Sequence, residues 1–321
     1  MPLPEKALIA RIRRQAKARK ASILAGIGDD CALMRLPTGH EALITTDFSL
    51  EGVHFRRDWH PPESVGHRCL ARGLSDIAAM GGEPLAAFLS LALPRNLPQA
   101  WVDRFMRGLL DLARKSGVGL AGGDTAQSPN GILADIVVLG SVPKGTAIRR
   151  SGARPGDRIY VSGALGVSAA AVHRMMDKPK RKLNPQDFPR HFFPEPRLKL
   201  GRILREKGMA SAMIDLSDGL STDLSHICKE SGVGAEILAE AIPRAVIGKP
   251  KREVDLHIAL HGGEDYELLF TSPRGKKVPA RIAGVPITLV GFITRSRKIF
   301  LVNKNGMGQE LVAQGWEHFR R

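Results

Sequence analysis

Two punctuated segments in the first half do most to limit what this chain can fold into. Pro61-Pro62 opens a stretch in which Val65, Leu70, Leu74 and Ile77 fall near helical spacing, and Gly81-Gly82 closes it. Pro98 opens a second, carrying Trp101, Val102, Phe105, Leu109 and Leu112, which stops at Gly117. Between and around them lie short apolar runs that read as strands: residues 41–46, ending at Asp47, then 85–93, 118–120 and 132–142. Helices alternating with strands must lay their apolar stripes on a sheet, so the expected class is α+β, with mixed sheets covered by helices.

The second half continues the alternation. Residues 158–162, 212–215, 267–271 and 287–293 read as strands, and 164–176, 198–207 and 220–230 as helices. The basic, proline-bearing segment 178–196 reads as a surface excursion. At 321 residues the chain is long enough for two domains, expected at 1–150 and 151–321. No apolar run approaches the roughly 20 residues of a membrane helix. The three cysteines, Cys31, Cys69 and Cys228, are far apart and form no CxxC, which excludes a disulfide scaffold and suits a reducing compartment. The N-terminus is basic without an apolar stretch, so it is not a secretory signal, and its arginines leave an organelle presequence as the minor alternative.

Lys and Arg number 48 against 32 Asp and Glu, a net charge of +16. Such an excess suits polyanionic partners. Aromatic residues are only 5%, however, and there is no aromatic ribonucleoprotein motif, zinc-finger spacing or basic zipper, so nucleic acid is a poor fit. The basic runs at 11–20, 178–182 and 249–252 read as solvated surface, compatible with small phosphorylated ligands.

Against this basic background the aspartates are conspicuous, because they gather where glycines meet apolar runs: Gly28-Asp29-Asp30, Thr45-Thr46-Asp47, Ser75-Asp76, Gly122-Gly123-Asp124-Thr125 and Asp215-Leu216-Ser217-Asp218-Gly219. Any one of them can be a turn or helix cap. Five together favour converging carboxylates that need a divalent cation, and hard oxygen ligands suit Mg²⁺ rather than zinc. Phosphate is the natural partner of such ions, yet the chain has neither a GxxxxGK[ST] loop nor the protein-kinase motifs. Gly122-Gly123 could admit a polyphosphate against the backbone, and Arg149-Arg150 could grip one. His54, Gly262-Gly263-Glu264-Asp265 and the terminal Trp316 and Phe319 are further candidates, each with a structural explanation beside the functional one.

Seven words occur in one order: GIGDDCA, LITTDFSLEGVHF, LSDIAAMGGEP, GLAGGDT, RRSGARPGDRIYVSG, MIDLSDGLSTDL and GGEDYELLF. In this the chain resembles the thiamine-monophosphate kinases, within the superfamily of aminoimidazole ribonucleotide synthetase-like ATP-binding proteins, over nearly its whole length. Two relatives fit less well. Selenophosphate synthetases would carry an N-terminal catalytic cysteine, and the hydrogenase-maturation relative ends in a cysteine where this chain has Arg320-Arg321.

The resemblance implies a two-domain aminoimidazole ribonucleotide synthetase-like fold, a homodimer whose interface lies in the N-terminal domain, and a cytoplasmic location. It implies several Mg²⁺ ions on Asp30, Thr45, Thr46, Asp47, Asp76, Asp124, Asp215 and Asp218, with Asp47, Asp76 and Asp124 acting through the metal and no general base. ATP contacts fall on Gly123, Asp124, Arg150 and Ser217, and thiamine monophosphate contacts on His54, Glu264 and Trp316, with Phe319 close enough to exchange roles with Trp316. Met106 stands where the family commonly has a tyrosine near the nucleotide. The implied reaction is direct in-line transfer from ATP to thiamine monophosphate. The alternatives are a sister synthetase acting on an amide or carboxyl oxygen, and a basic nucleic-acid-binding protein.

Overall fold

The computed structural model describes residues 1–16, 21–28, 30–177, 182–248, 251–316 and 319. Asp29 and parts of all three basic runs therefore lie outside the described residues, as do Glu317 and His318. The chain divides into two compact units. One comprises residues 1–77, 82–145 and 192–194, and the other 78–81, 146–191 and 195–321.

The first unit runs α1 (Glu5–Gln15), β1 (Ile23–Ala25), β2 (Leu33–Met34), β3 (His40–Leu50), α2 (Pro62–Ala79), β4 (Glu83–Pro94), α3 (Gln99–Ser116), β5 (Gly119–Ser128) and β6 (Leu133–Pro143). Its main sheet has the order β3-β6-β4-β5. β3 and β6 pair antiparallel without interruption from His40↔Pro143 to Leu50↔Leu133, and α3 is the crossover between the parallel strands β4 and β5. The helices keep the punctuation expected of them, and Gly117 closes α3 in the left-handed conformation. Phe105 and Leu109 of α3 and Leu70, Leu74 and Ile77 of α2 are buried, and Trp101 stacks on Phe105 with ring centroids 5.6 Å apart. Burying each such side chain contributes about 1.5–3 kcal/mol. The N-terminal segment is docked: Leu8 and Ile12 of α1 are buried, and Arg11 grips Asp103 of α3 with two hydrogen bonds, 2.6 and 2.7 Å.

The second unit adds β7 (Arg158–Ser162), α4 (Val167–Asp177), α5 (Pro189–Phe192), α6 (Leu198–Glu206), β8 (Ala212–Asp215), α7 (Leu220–Ser231), β9 (Gly234–Leu238), β10 (Val246–Ile247), β11 (Arg252–Glu253), α8 (Leu256–His261), β12 (Leu268–Ser272), β13 (Arg281–Ile282), β14 (Val285–Thr294), β15 (Ile299–Val302) and β16 (Gly308–Glu310). Its sheet has the order β16-β15-β9-β14-β7-β12-β8 with β13 beside β14, and only the β15–β9 pair is parallel. The core centres on Tyr160 stacked against Phe270 at 5.3 Å, with Leu200 and Leu204 of α6 and Met213 around them.

Three expectations are corrected. β3 does not end at Asp47 but continues to Leu50, because β6 extends the ladder and Ser49 turns inward and is buried. Asp124 lies inside β5 and Asp76 inside α2, so these three acids project from regular elements rather than from junctions. Within 178–196, the described part is not a surface excursion: Phe188, His191 and Phe192 are buried, with Ser168 Oγ 2.9 Å from His191 Nδ1 and the Phe192 ring 5.7 Å from His60.

Candidate functional site

In the first unit, strand alternation sorts the Thr45-Thr46-Asp47 triplet. Successive strand residues face opposite sides, so Thr45 and Asp47 share the side covered by α2, and Thr46 faces away. Gly73 of α2 lets the helix lie close, since a Cβ there would stand 2.6 Å from a Val138 methyl. Asp76, one turn further along the same helix face, is thereby brought to β3. Thr45 Oγ1 donates to Asp76 Oδ2 in a short hydrogen bond, and the Asp47 carboxylate lies close enough to Asp76 for the two charges to repel. Burial, then the Asp76 and Asp135 charges, push the Asp47 carboxyl up to about 7, against the pull of Arg72. On the other side Thr46 Oγ1 donates to Asp135 Oδ1 at 2.7 Å.

The donors of Thr45, Asp47 and Asp76 are all oxygens, two of them carboxylates forced together. Mg²⁺ fits that set, because it prefers hard oxygen ligands and would relieve the repulsion.

His54 sits in the turn after β3. The Leu50 amide donates to His54 Nδ1 at 3.0 Å, which makes that nitrogen an acceptor and puts the ring proton on Nε2 in the neutral form. Its ring borders a narrow crevice with Ser49, Arg68 and Arg72. Asp30 and Asp124 belong to a different place, the wall of a cavity of about 500 Å³ between α1, residues 26–28 and 30–32, and the β4–β5 edge. Ile9, Ile12, Phe88, Leu91 and Leu120 make it apolar, and Gly122, Gly123 and Asp124 give it a polar side. Met106 is not exposed there, being buried in the core with 1% of its surface accessible.

In the second unit, residues 215–219 form a turn between β8 and α7 that gathers the other candidates. Asp215 is buried at the end of β8, opposite Leu268. The Glu264 amide donates to the Ser217 carbonyl at 2.8 Å, and the Trp316 amide to the Asp218 carbonyl at 3.1 Å. Asp223 Oδ2 accepts from the Asp218 and Gly219 amides, both at 3.1 Å, which fixes the turn at the head of α7. Burial first, then Asp215 and Asp218, push the Asp223 carboxyl well above the usual range. One ligand atom each of Asp218, Asp223 and His226 lie within 4.8 Å of one another.

The loop bearing Glu264 is itself held firmly. Glu264 and Tyr266 both adopt left-handed backbone angles, φ 64° and 50°. Asp265 Oδ2 accepts from the Gly166 amide at 2.7 Å. Glu267, with 1% of its side chain exposed, accepts from Arg197 at 2.6 and 2.8 Å, from Ser162 Oγ at 2.5 Å and from Arg190.

The structure thus brings Thr45, Asp47 and Asp76 together, lines one cavity with Asp30, Gly123 and Asp124, and draws Glu264 and Trp316 to the turn of Asp215, Ser217 and Asp218. Arg150 lies at the far end of α7 from Ser217, where Ser231 Oγ donates to the Arg150 carbonyl at 3.3 Å. Trp316 is held at its backbone, whereas the Phe319 side chain is wholly exposed. Asp135, Arg72 and Asp223 escaped notice in the sequence. Asp135 had a visible signal, a lone acid within the apolar run 132–142.

Known proteins resemble this chain in sequence and in fold. Residues 28–142 match the N-terminal domain, and 154–299 the C-terminal domain, of AIR synthase related protein. The thiamine-monophosphate kinase of Escherichia coli is 38% identical over 99% of both chains, and that of Bacillus subtilis 33% identical over 94% of this chain and 95% of its own. Among solved structures, thiamine-monophosphate kinase from Stenotrophomonas maltophilia superimposes with a TM-score of 0.80 at 35% identity, covering 93% of this chain and 96% of that one. AaThiL complexed with AMPPCP and TMP gives 0.77 at 31% identity, covering 99% and 97%. The hydrogenase maturation protein HypE, at 18% identity and a TM-score of 0.75, shares the fold. On sequence and fold together, this chain belongs to the AIR synthase related family and, within it, to the thiamine-monophosphate kinases.

Proposed function

We propose that this protein transfers the γ-phosphoryl group of ATP to thiamine monophosphate, releasing ADP and thiamine diphosphate. The observation that carries the reading is the all-oxygen cluster of Thr45, Asp47 and Asp76, in a chain 38% identical throughout to a thiamine-monophosphate kinase. The acceptor is a phosphate, already ionised near neutral pH, so no side chain has to remove a proton. A terminal oxygen of thiamine monophosphate forms the new P–O bond, and the bond from the γ-phosphorus to the β,γ-bridging oxygen breaks, leaving with ADP.

What remains is charge and alignment. In the first unit Thr45, Asp47 and Asp76 would hold Mg²⁺, with Asp30 and Asp124 as further ligands and Thr46 facing the other side of β3; in the second unit Asp215 and Asp218 would do so. Bound there, the ions would supply charge neutralisation to the phosphates. Gly123 and Asp124, on the polar side of the apolar cavity of the first unit, would contact the nucleotide. His54, Glu264 and Trp316 contact thiamine monophosphate. Transfer is direct, without a phosphorylated side chain.

The open face of the first unit's sheet supports a homodimer: Ile44 and Phe48 on edge strand β3 are 72% and 54% exposed, and a second copy would cover them. No helix among the described residues is long and apolar enough to cross a membrane. Free Cys31, Cys69 and Cys228 are compatible with a cytoplasmic location.

The test is ADP release from ATP and Mg²⁺ with and without thiamine monophosphate, with product identified by chromatography. Stoichiometric thiamine diphosphate is expected. ADP formed without that product would move the protein to a sister synthetase.

A further inference from the structure

Three tail amides meet the head of α7. The Gln314 amide points at Ser221 Oγ at 3.5 Å, the Gly315 amide donates to Thr222 Oγ1 at 3.0 Å, and the Trp316 amide donates to the Asp218 carbonyl at 3.1 Å. The approach is tight enough to exclude a side chain: a Cβ on Gly315 would stand 1.9 Å from the Asp218 carbonyl oxygen and 2.5 Å from Thr222 Oγ1. Trp316 leaves this clasp with 55% of its surface exposed. A half-exposed indole on a short tail would otherwise sample many positions, and fixing it is an entropic matter settled by what holds its backbone.

We infer that Thr222 is a positioning residue for thiamine monophosphate, its hydroxyl seating Gly315 so that the Trp316 ring stands ready beside Asp218. The inference rests on the proposed function, through the role of Trp316. Thr222 does not itself touch substrate. It acts through the tail, 93 residues away in sequence. The Gly315–Thr222 bond and the Trp316–Asp218 bond enclose one small ring of chain, so loosening the first frees the second.

The experiment compares the unaltered protein with Thr222→Val, which keeps the side-chain shape and removes the acceptor, and with Thr222→Ser, which restores it. Steady-state kinetics are read separately for the two substrates, and amide hydrogen exchange at 315 and 316 is followed without substrate. Thr222→Val is expected to raise KM for thiamine monophosphate about tenfold, the scale of one lost hydrogen bond, while KM for ATP stays within about twofold. Exchange at 315 and 316 should accelerate in Thr222→Val, and Thr222→Ser should recover both properties. A purely structural role would lower Tm without separating the two KM values. Product from the unaltered protein with an unchanged KM in a folded Thr222→Val overturns this inference alone. Absence of thiamine diphosphate from the unaltered protein overturns the proposed function and the inference with it.

Discussion

The Asp47 and Asp76 carboxyls face each other, and the first is pushed up to about 7, by its burial and then by the charge of the second. A cation between the two carboxylates would serve both and relieve their repulsion. Mg²⁺ should therefore stabilise the protein. At about one hundred times its dissociation constant the gain is about 2.7 kcal/mol, or about 4 °C in Tm for a chain of this size. Asp47→Asn and Asp76→Asn should each lose most of that rise while folding normally, and their turnover should fall at least about a hundredfold. Differential scanning calorimetry with Mg²⁺ and with a chelator reads the first effect. A full Mg²⁺-dependent rise in both variants would take these residues out of the metal set.

The Glu267 carboxylate is buried between two arginines. Arg197→Met removes its bidentate partner, leaving Arg190 and Ser162 Oγ, and should cost about 3 kcal/mol. In Arg197→Met/Glu267→Gln no charge is stranded, and part of the loss should return. Urea unfolding of the single and double variants measures this, and equal losses in both would show that the charge is not the cause.

Asp265 gives the protein a pH dependence of known sign. Burial first, then the Glu267 charge, pushes its carboxyl up to about 7, against the Gly166 and Ser168 amides and the Arg190 charge, which favour the ionised form. A carboxyl raised above its ordinary 3.8 stabilises the fold fully below that value and loses the contribution as pH climbs towards 7. Tm of the chelated protein should fall between pH 4 and pH 7, and Asp265→Asn, which can still accept from the Gly166 amide, should fall less. Parallel curves for the two would remove Asp265 as a source of the slope.

The sequence made α2 and α3 legible because their ends are written locally, in Pro61-Pro62 and Gly81-Gly82 and in Pro98 and Gly117. Strand ends were not, because a strand stops where its partner stops. β3 passes Asp47 since β6 extends to Leu133. Helix α1 was hidden by its charges, its two buried residues Leu8 and Ile12 being too few to show a period. The candidate residues came from short words whose spacing survives in one sequence, but their grouping did not. Thr45 and Thr46 look equivalent on the page and bond to different acids on opposite faces. Thr222 carried no signal at all, since its partner lies 93 residues downstream.

The uninterrupted β3–β6 ladder has a consequence for how this protein can vary. Every second residue of β3 faces α2 and every other one the outer side, so pairing acts like a vernier with only one usable setting. A single residue inserted or deleted in β3 ahead of Asp47 would turn Asp47 outward and Phe48 inward together, exchanging a carboxylate for a phenyl ring in one step. Length changes should accumulate in the turns flanking these strands, and the strands themselves should drift by substitution alone.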